Sequence, residues 1–431
     1  MRLAPTLTLA TLVSSALALD ACFQIQKAVS SASAVSFPLE LFGHYAQDIS
    51  HWASSSTQDA ACSVQPGTAE DVSTIVKGGG HTANPGFSST KGVQISMARF
   101  SGVTYDEASG TATIGAGLIW DDVYAALEPH GVNVVGGRVS GVGVAGFTLG
   151  GGYSWKTNQF GLTIDTLTEY ELVKPNGDIV SVTEASDADL FFALKGGMNN
   201  FGIVTKFTLK TFPQGGLMTF TFDQIDNNVT DPKAAILPTF NFLLGEVGVS
   251  HIMFYDGPTP PAGIFDDFLA IPHFTKDVST RSFSSLVKAS PSNATTGARG
   301  AFHTVSLLEY TPNMLNAILN ESVFWGTHLA PFGATFISYD IEPFLSTLYT
   351  HSPPSSPSAY PPHPRPRLRL HPPQPLLRLD IAGAALYPNY ALAGTPVARL
   401  YGGNLGRLRE VKGGAGGSGR RDAVGGGGFK F

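Results

Sequence analysis

Three glycine-rich patches in the first half of the chain could hold a phosphate-bearing ligand with backbone alone. The longest, residues 136–152, reads GGRVSGVGVAGFTLGGG. An interior glycine costs a helix roughly 1 kcal/mol against alanine, so this density argues against a packed helix. The apolar residues between the glycines argue against an ordinary loop. The pattern suits backbone that runs close to something flat or anionic, because glycine permits φ > 0 and successive N–H groups can then form a concave nest. Lys77-Gly78-Gly79-Gly80-His81 precedes this stretch, and Lys195-Gly196-Gly197-Met198-Asn199-Asn200-Phe201-Gly202 follows it. Three such nests imply one large, extended, phosphate-bearing cofactor. His81 read alone is a solvated loop residue, and Arg138 either faces phosphates or forms a salt bridge.

The rest of the composition bounds the class. A chain of 431 residues allows two or three domains. Charged residues make up 14% against a usual figure of about 25%, and the net charge is −6. No basic field points to nucleic acid. Residues 1–19 have the order of a secretory signal peptide: Arg2, an apolar run over residues 7–17, and the small-x-small Ala16-Leu17-Ala18. The apolar run is too short to span a membrane, and no later one qualifies. A secreted, extracellular protein is therefore expected, with no membrane partner and no metal site. Cys22 and Cys62 are the two cysteines. In an oxidising compartment an even count favours a disulfide, with two buried thiols as the alternative. Asn228, Asn293 and Asn320 each begin an Asn-x-Ser/Thr glycan acceptor pattern.

The elements that must position the glycines alternate irregularly. Residues 20–58 read as helical. Cys62–Pro66 reads as a strand, and Thr68 caps a helix with acids in its first turn. Val93–Met97 reads as a strand, and 103–106 with 111–115 as a hairpin about Ser109-Gly110. Ile119–Glu128 carries an apolar helical face of Trp120, Val123, Tyr124 and Leu127. Val132–Val135 is a buried strand leading into the central glycines. Leu167–Val173 and Asp178–Thr183 form a second hairpin around Asn176-Gly177. Ser186 caps a helix to Lys195, and Gly202–Thr211 alternates as a strand. Strands and helices without a βαβ period argue α+β. A second domain begins near Gly215: Met218–Phe222, His251–Tyr255, His303–Tyr310 and Ala334–Tyr339 read as strands, and Asp231–Leu244 as a helix. Residues 352–379 are dense in Pro and Arg, hold no acid, and read as an extended linker. The tail over 413–428 is again of low complexity.

Taken in order, these patches resemble the FAD-linked oxidases of the vanillyl-alcohol oxidase and p-cresol methylhydroxylase superfamily, above all the secreted fungal berberine-bridge-enzyme-like group. The residues that carry the likeness are Cys62-Ser63-Val64-Gln65-Pro66, Lys77 to His81, Gly136-Gly137-Arg138 and Val142 to Gly146. They continue through Leu149 to Gly152, Gly161 to Asp165, Leu194 to Gly197 and Phe201 to Thr205. Tyr387-Pro388-Asn389-Tyr390, Tyr401-Gly402 and Arg407 to Lys412 match the group's C-terminal signature. One glycine patch would be weak, whereas the ordered set is specific.

The resemblance implies a two-part α+β FAD-binding domain and an inserted substrate domain, an antiparallel sheet backed by helices. The implied divisions are a signal peptide (1–19), an FAD-binding segment (20–214), a substrate domain (215–350), the Pro/Arg-rich segment (351–380) and a C-terminal segment returning to the FAD domain (381–431). It implies that FAD is held by Lys77, Gly78, Gly79, Gly80, Gly137, Val139, Ser140, Gly141, Gly143, Gly146, Gly150, Gly151, Gly202 and Ile203. It further implies that His81 carries the flavin covalently. Val139 stands where some members have a second, cysteinyl link, so His81 would be the sole attachment. Tyr387 and Tyr390 are the implied proton-accepting residues, against the plain reading that both are packing aromatics. The implied reaction takes a hydride from a sugar, alcohol or secondary metabolite and returns electrons to dioxygen as peroxide. Two departures, a strand missing before Gly78 and the Pro/Arg segment where substrate-domain strands belong, motivate the alternative. That alternative is a non-catalytic secreted glycoprotein which keeps the FAD-domain shape.

Overall fold

The structure is a computed structural model. It describes residues 18–73, 84, 86–214, 231–243, 245–289, 296–307, 310–360, 385–415 and 428–430. Lys77 to His81, Asn228, Asn293, the expected strand at 218–222, residues 361–380 and most of the expected signal peptide lie outside the described residues. A helix over 18–28 opens the description. Three strands follow: β1 (Ala34–Ser36), β2 (Cys62–Gln65) and β3 (Val93–Ile95). They make a small sheet in that order, with β2 antiparallel to β1 and parallel to β3. Cys22 and Cys62 form the expected disulfide, joining the opening helix to β2. Thr68 caps Ala69–Val72 as its sequence suggests, its side chain accepting from the Asp71 N–H at 3.2 Å.

A five-stranded antiparallel sheet holds the centre. Its strands are β4 (Val103–Asp106), β5 (Thr111–Gly115), β6 (Leu167–Val173), β7 (Ile179–Val182) and β8 (Ile203–Lys210), in the order β4-β5-β8-β6-β7. Both expected hairpins are present, at β4–β5 and β6–β7. Helix α1 (Trp120–Leu127) buries the predicted face of Trp120, Val123, Tyr124 and Leu127. The helix at Ala188–Leu194 is capped by Asp187, not Ser186: the Asp187 carboxylate accepts from the Leu190 N–H at 3.0 Å, while the Ser186 hydroxyl bonds back to Thr183.

The central glycine stretch departs from its expectation, since a six-residue helix, α2 (Val144–Leu149), runs through it. Only Gly146 is interior to α2, because Gly143 and Gly150 take the two caps. The helical cost therefore falls on one residue.

The inserted part is a three-stranded antiparallel sheet of β9 (Ala234–Leu243), β10 (Glu246–Tyr255) and β11 (Phe336–Asp340), with β9 in the middle. The helix expected over Asp231–Leu244 is β9 instead. Pro238 would cost a helix interior about 3 kcal/mol or more by clash and a lost hydrogen bond. The chain pairs instead residue for residue with β10, around Gly245 at φ 96°. Residues 303–310 do not form the expected strand among those described. The unforeseen helix α3 (Pro312–Leu329) backs the sheet; Thr311 caps it and proline occupies its first position. α3 approaches closely at Gly326, where a Cβ would lie 2.1 Å from the Phe242 ring.

One apolar core joins these parts. It takes Ile114, Tyr170 and Phe207 from the central sheet, Phe254 and Phe283 from the insert, and Leu400, Tyr401, Leu408 and Phe429 from the end of the chain. The start of the Pro/Arg segment is docked and not a free linker. Lys195 Nζ donates to the Ser356 carbonyl at 2.9 Å, and the Ala359 N–H donates to the Lys195 carbonyl at 2.9 Å. No described helix is long and apolar enough to cross a membrane.

Candidate active site

The glycines of residues 136–152 divide into two kinds. At Gly136 and Gly137 a Cβ would run into the Trp120 ring at 2.4 and 2.6 Å, so these positions are glycine because α1 packs against them. The Tyr124 hydroxyl then donates to the Gly137 carbonyl at 2.7 Å. At Gly150 a Cβ would meet Asn389 Oδ1 at 2.0 Å, and at Gly152, with φ 83°, it would meet Thr163 Oγ1 at 2.3 Å. Gly151 also holds a positive φ, of 123°. Gly202 belongs with this set, because its Cβ would strike the Val173 carbonyl across the sheet. Ile203 is buried in β8 opposite Val173. Packing within the protein accounts for all of these.

Gly141, Gly143 and Gly146 differ. Among the described residues a Cβ at any of the three would meet nothing within 4 Å. Gly143 and Gly146 also have no positive φ to explain the residue type. Gly143 sits at φ −71°, ψ 143°, which any residue can adopt. These three glycines thus face open space, along a strip from half-buried Val139 to exposed Gly146 whose Val144 and Ala145 turn into the core. Packing within the described protein does not account for glycine at Gly143 and Gly146, and the open space leaves room for a bound group to approach the backbone. The loop is held from behind by Asp121, in the first turn of α1. Its carboxylate accepts from the Ser140 hydroxyl at 2.7 Å and the Gly141 N–H at 2.8 Å. Trp120 N–H to Val142 carbonyl and Val144 N–H to Leu118 carbonyl bonds complete the tether. These residues fit a large cofactor laid along bare backbone.

At the end of the strip stands a cluster of aromatic and charged groups. Tyr387 and Tyr390 flank Asn389 in a short turn of helix. Asn389 fills the space over Gly150 and donates to the Phe147 carbonyl at 3.1 Å. The Tyr387 hydroxyl accepts from the Gly152 N–H at 3.0 Å and from Asn389 at 2.8 Å. Burial pushes Tyr387 up to about 12 against the pull of those two donors. Its ring meets Tyr390 and Tyr153 edge-on at 4.8 and 4.6 Å.

Of the two alternatives for Arg138, the structure shows the salt bridge. It is buried and ion-paired with Glu342, just past β11 of the insert. The same guanidinium nitrogen donates to the Tyr390 hydroxyl at 3.2 Å, and that hydroxyl lies 3.4 Å from Glu342 Oε1. The Trp155 and Phe344 rings lie 5.7 and 5.6 Å from the guanidinium carbon. Burial opposes the Arg138 charge, but Glu342 and the other partners outweigh it and hold the guanidinium firmly protonated. Tyr390 is raised above 10.0, by burial first and by the Glu342 charge second. Glu342, Phe344 and Tyr153 carried no sequence signal of their own. Only Asn389 lay inside a motif already singled out.

A second ion pair crosses the same seam. Lys156, fully buried, meets Asp256 at the end of β10 at 2.7 Å. Gln159 donates to the same oxygen at 2.7 Å. Burial lowers the Lys156 pKa, with Asp256 opposing. Asn158 donates to the Ala234 carbonyl and accepts from the Leu345 N–H.

Comparison with known proteins agrees with this geometry. Residues 53–183 match the model of the FAD binding domain family. An uncharacterized FAD-linked oxidoreductase of Arthroderma benhamiae is 37% identical over 257 residues, covering 53% of this chain and 51% of that protein. An FAD-dependent monooxygenase of Aspergillus calidoustus is 33% identical over 272 residues, covering 55% and 52%. The chain thus spans about half the length of the curated relatives it matches. The fold is that of Physcomitrella patens BBE-like 1, with a TM-score of 0.67 at 19% identity over 92% of this chain and 95% of that one. A xylooligosaccharide oxidase from Myceliophthora thermophila gives 0.69 at 21% identity over 91% and 95%. The chain carries an FAD binding domain with FAD-linked oxidoreductase homologues, in the α+β fold of the berberine-bridge-like oxidases.

Proposed function

We propose that this chain is a secreted FAD-dependent oxidase of hydroxylated small molecules, with FAD carried on His81 and dioxygen as acceptor. The supporting observation is the cluster of Arg138, Glu342 and Tyr390 at one end of the bare glycine strip. The strip from Val139 to Gly146, with the patch at Lys77 to Gly80, would hold the cofactor. FAD, when bound, accepts the substrate hydride and passes the electrons to dioxygen, giving peroxide. The chain's own part is to take the substrate proton. Tyr390 stays a neutral phenol at working pH, because its own value is raised. It therefore acts as a relay, donating its proton to Glu342 while its oxygen receives the proton of the substrate hydroxyl. Tyr387, held from two sides by Gly152 and Asn389, fixes the wall against which Tyr390 stands. Half-exposed Phe302, its ring stacked near Tyr390 at 6.3 Å, offers a flat surface beside it.

Sugars suit this reading, since a chitooligosaccharide oxidase and a xylooligosaccharide oxidase share the fold. The decisive experiment is the visible spectrum of purified protein, followed by acid precipitation and a peroxide assay on a panel of sugars and alcohols. The expected result is a yellow protein whose flavin stays with the polypeptide and is released in the His81→Ala variant. A colourless preparation that binds no added FAD would refute the reading.

A further inference from the structure

We propose that Arg138 is the positioning residue of the proton relay: it holds Glu342, delivered by the inserted domain, against the Tyr390 hydroxyl. The inference rests on the relay described above, and it gives a job to a residue the reaction itself does not touch.

The geometry carries the argument. A single guanidinium nitrogen serves both partners, Glu342 Oε1 and the Tyr390 oxygen. The two partners come from separate parts of the chain, Glu342 following β11 of the insert and Tyr390 from the C-terminal return. Arg138 is therefore the point at which three segments register. Guanidinium is suited to this, being planar, always charged and able to present several donors at fixed angles. Its rotamer is closed on two sides by Trp155 and Phe344. Tyr310 adds one bond from the insert, its hydroxyl donating to the Glu342 carbonyl at 3.4 Å.

The charge balance is equally specific. Among the described residues, the charged and titratable groups facing Tyr390 are Arg138, Glu342 and Tyr387. Asp340 adds a second carboxylate beside Glu342, its value raised by burial first and by Glu342 further down the order. Among the described residues Arg138 is the cation set against these two acids. Without it no described cation holds the Glu342 carboxylate beside the Tyr390 hydroxyl, and the relay loses its placed acceptor.

The test reads Tyr390 first and the relay second. The near-ultraviolet spectrum of Arg138→Lys holoprotein, taken as a difference from the parent, should show a tyrosine band, and the band should vanish when both proteins carry Tyr390→Phe. Arg138→Lys keeps the charge but not the planar fork. The limiting rate of anaerobic flavin reduction by xylobiose should fall at least tenfold in Arg138→Lys and further in Arg138→Gln, with the half-saturating xylobiose concentration unchanged. If Arg138→Gln does not fold, Arg138→Lys decides alone. An absent tyrosine band, or an unchanged limiting rate in folded, flavin-loaded Arg138→Lys, overturns the proposal. The relay fails separately, when Tyr390→Phe reduces its flavin as fast as the parent.

Discussion

Substituting one glycine of each kind separates cofactor approach from internal packing. Gly143→Val places its Cβ where no described residue lies within 4 Å. Its backbone, at φ −71° and ψ 143°, is comfortable for a β-branched residue. Losing glycine from the cap of α2 costs about 1 kcal/mol at most. Reduced freedom of the unfolded chain returns about 0.4–1 kcal/mol. The folded protein should therefore stay within about 1 kcal/mol of the parent and yet bind no flavin. Gly137→Ala is the smaller change and should act on the other axis. Its Cβ would sit 2.6 Å from Trp120 Cδ1 in a buried site, and overpacking of that kind costs roughly 1–3 kcal/mol. Denaturant unfolding read by tryptophan fluorescence, together with flavin content per polypeptide, measures both. Normal flavin loading of Gly143→Val would refute the assignment of the open strip, and so would its unfolding.

Replacing Cys22 and Cys62 by alanine opens a loop with a sequence separation of 40. In the chain-entropy model this costs about 4 kcal/mol, read as a lower denaturation midpoint. Lys156→Met strands the Asp256 carboxylate at the seam, and breaking a buried pair typically costs about 3–5 kcal/mol. Unfolding that matches the parent would show the pair to be idle. Asp71 accepts from the Ser30 N–H and from the Ser30 and Ser33 hydroxyls; burial opposes the charge, but these bonds prevail and hold the carboxyl below 3.8. The stability it adds is complete above 3.8 and fades as pH falls through the lowered value, so Asp71→Asn should flatten the acid limb of a stability profile.

The sequence carried the architecture well wherever an element announces itself locally. Alternation marked the central strands, asparagine-glycine marked a hairpin, and Thr68 marked a cap. It misled where tertiary pairing overruled a local reading. Asp231–Leu244 shows enough apolar residues for a helix, yet Pro238 and a matched partner strand make it β9. Glycine density argued against a helix over 136–152, yet α2 runs through it, and the glycines fall mostly at its ends and at contacts with Trp120, Asn389 and Thr163. The site was legible as far as Tyr387 and Tyr390, which sit in a recognisable motif. Glu342 was not, because its role depends on a partner 204 residues away. Nothing local distinguishes such a carboxylate from a solvated one.

The seam between the two halves has a fixed polarity. Both cations, Arg138 and Lys156, belong to the flavin-binding half, and both carboxylates, Glu342 and Asp256, belong to the insert. An insert transplanted from a relative would have to bring acids at both places. One lacking either would leave a buried positive charge behind and dock poorly, however good its own fold. The insert is thus exchangeable only as a keyed part, and the key is two negative charges set by the ends of β10 and β11.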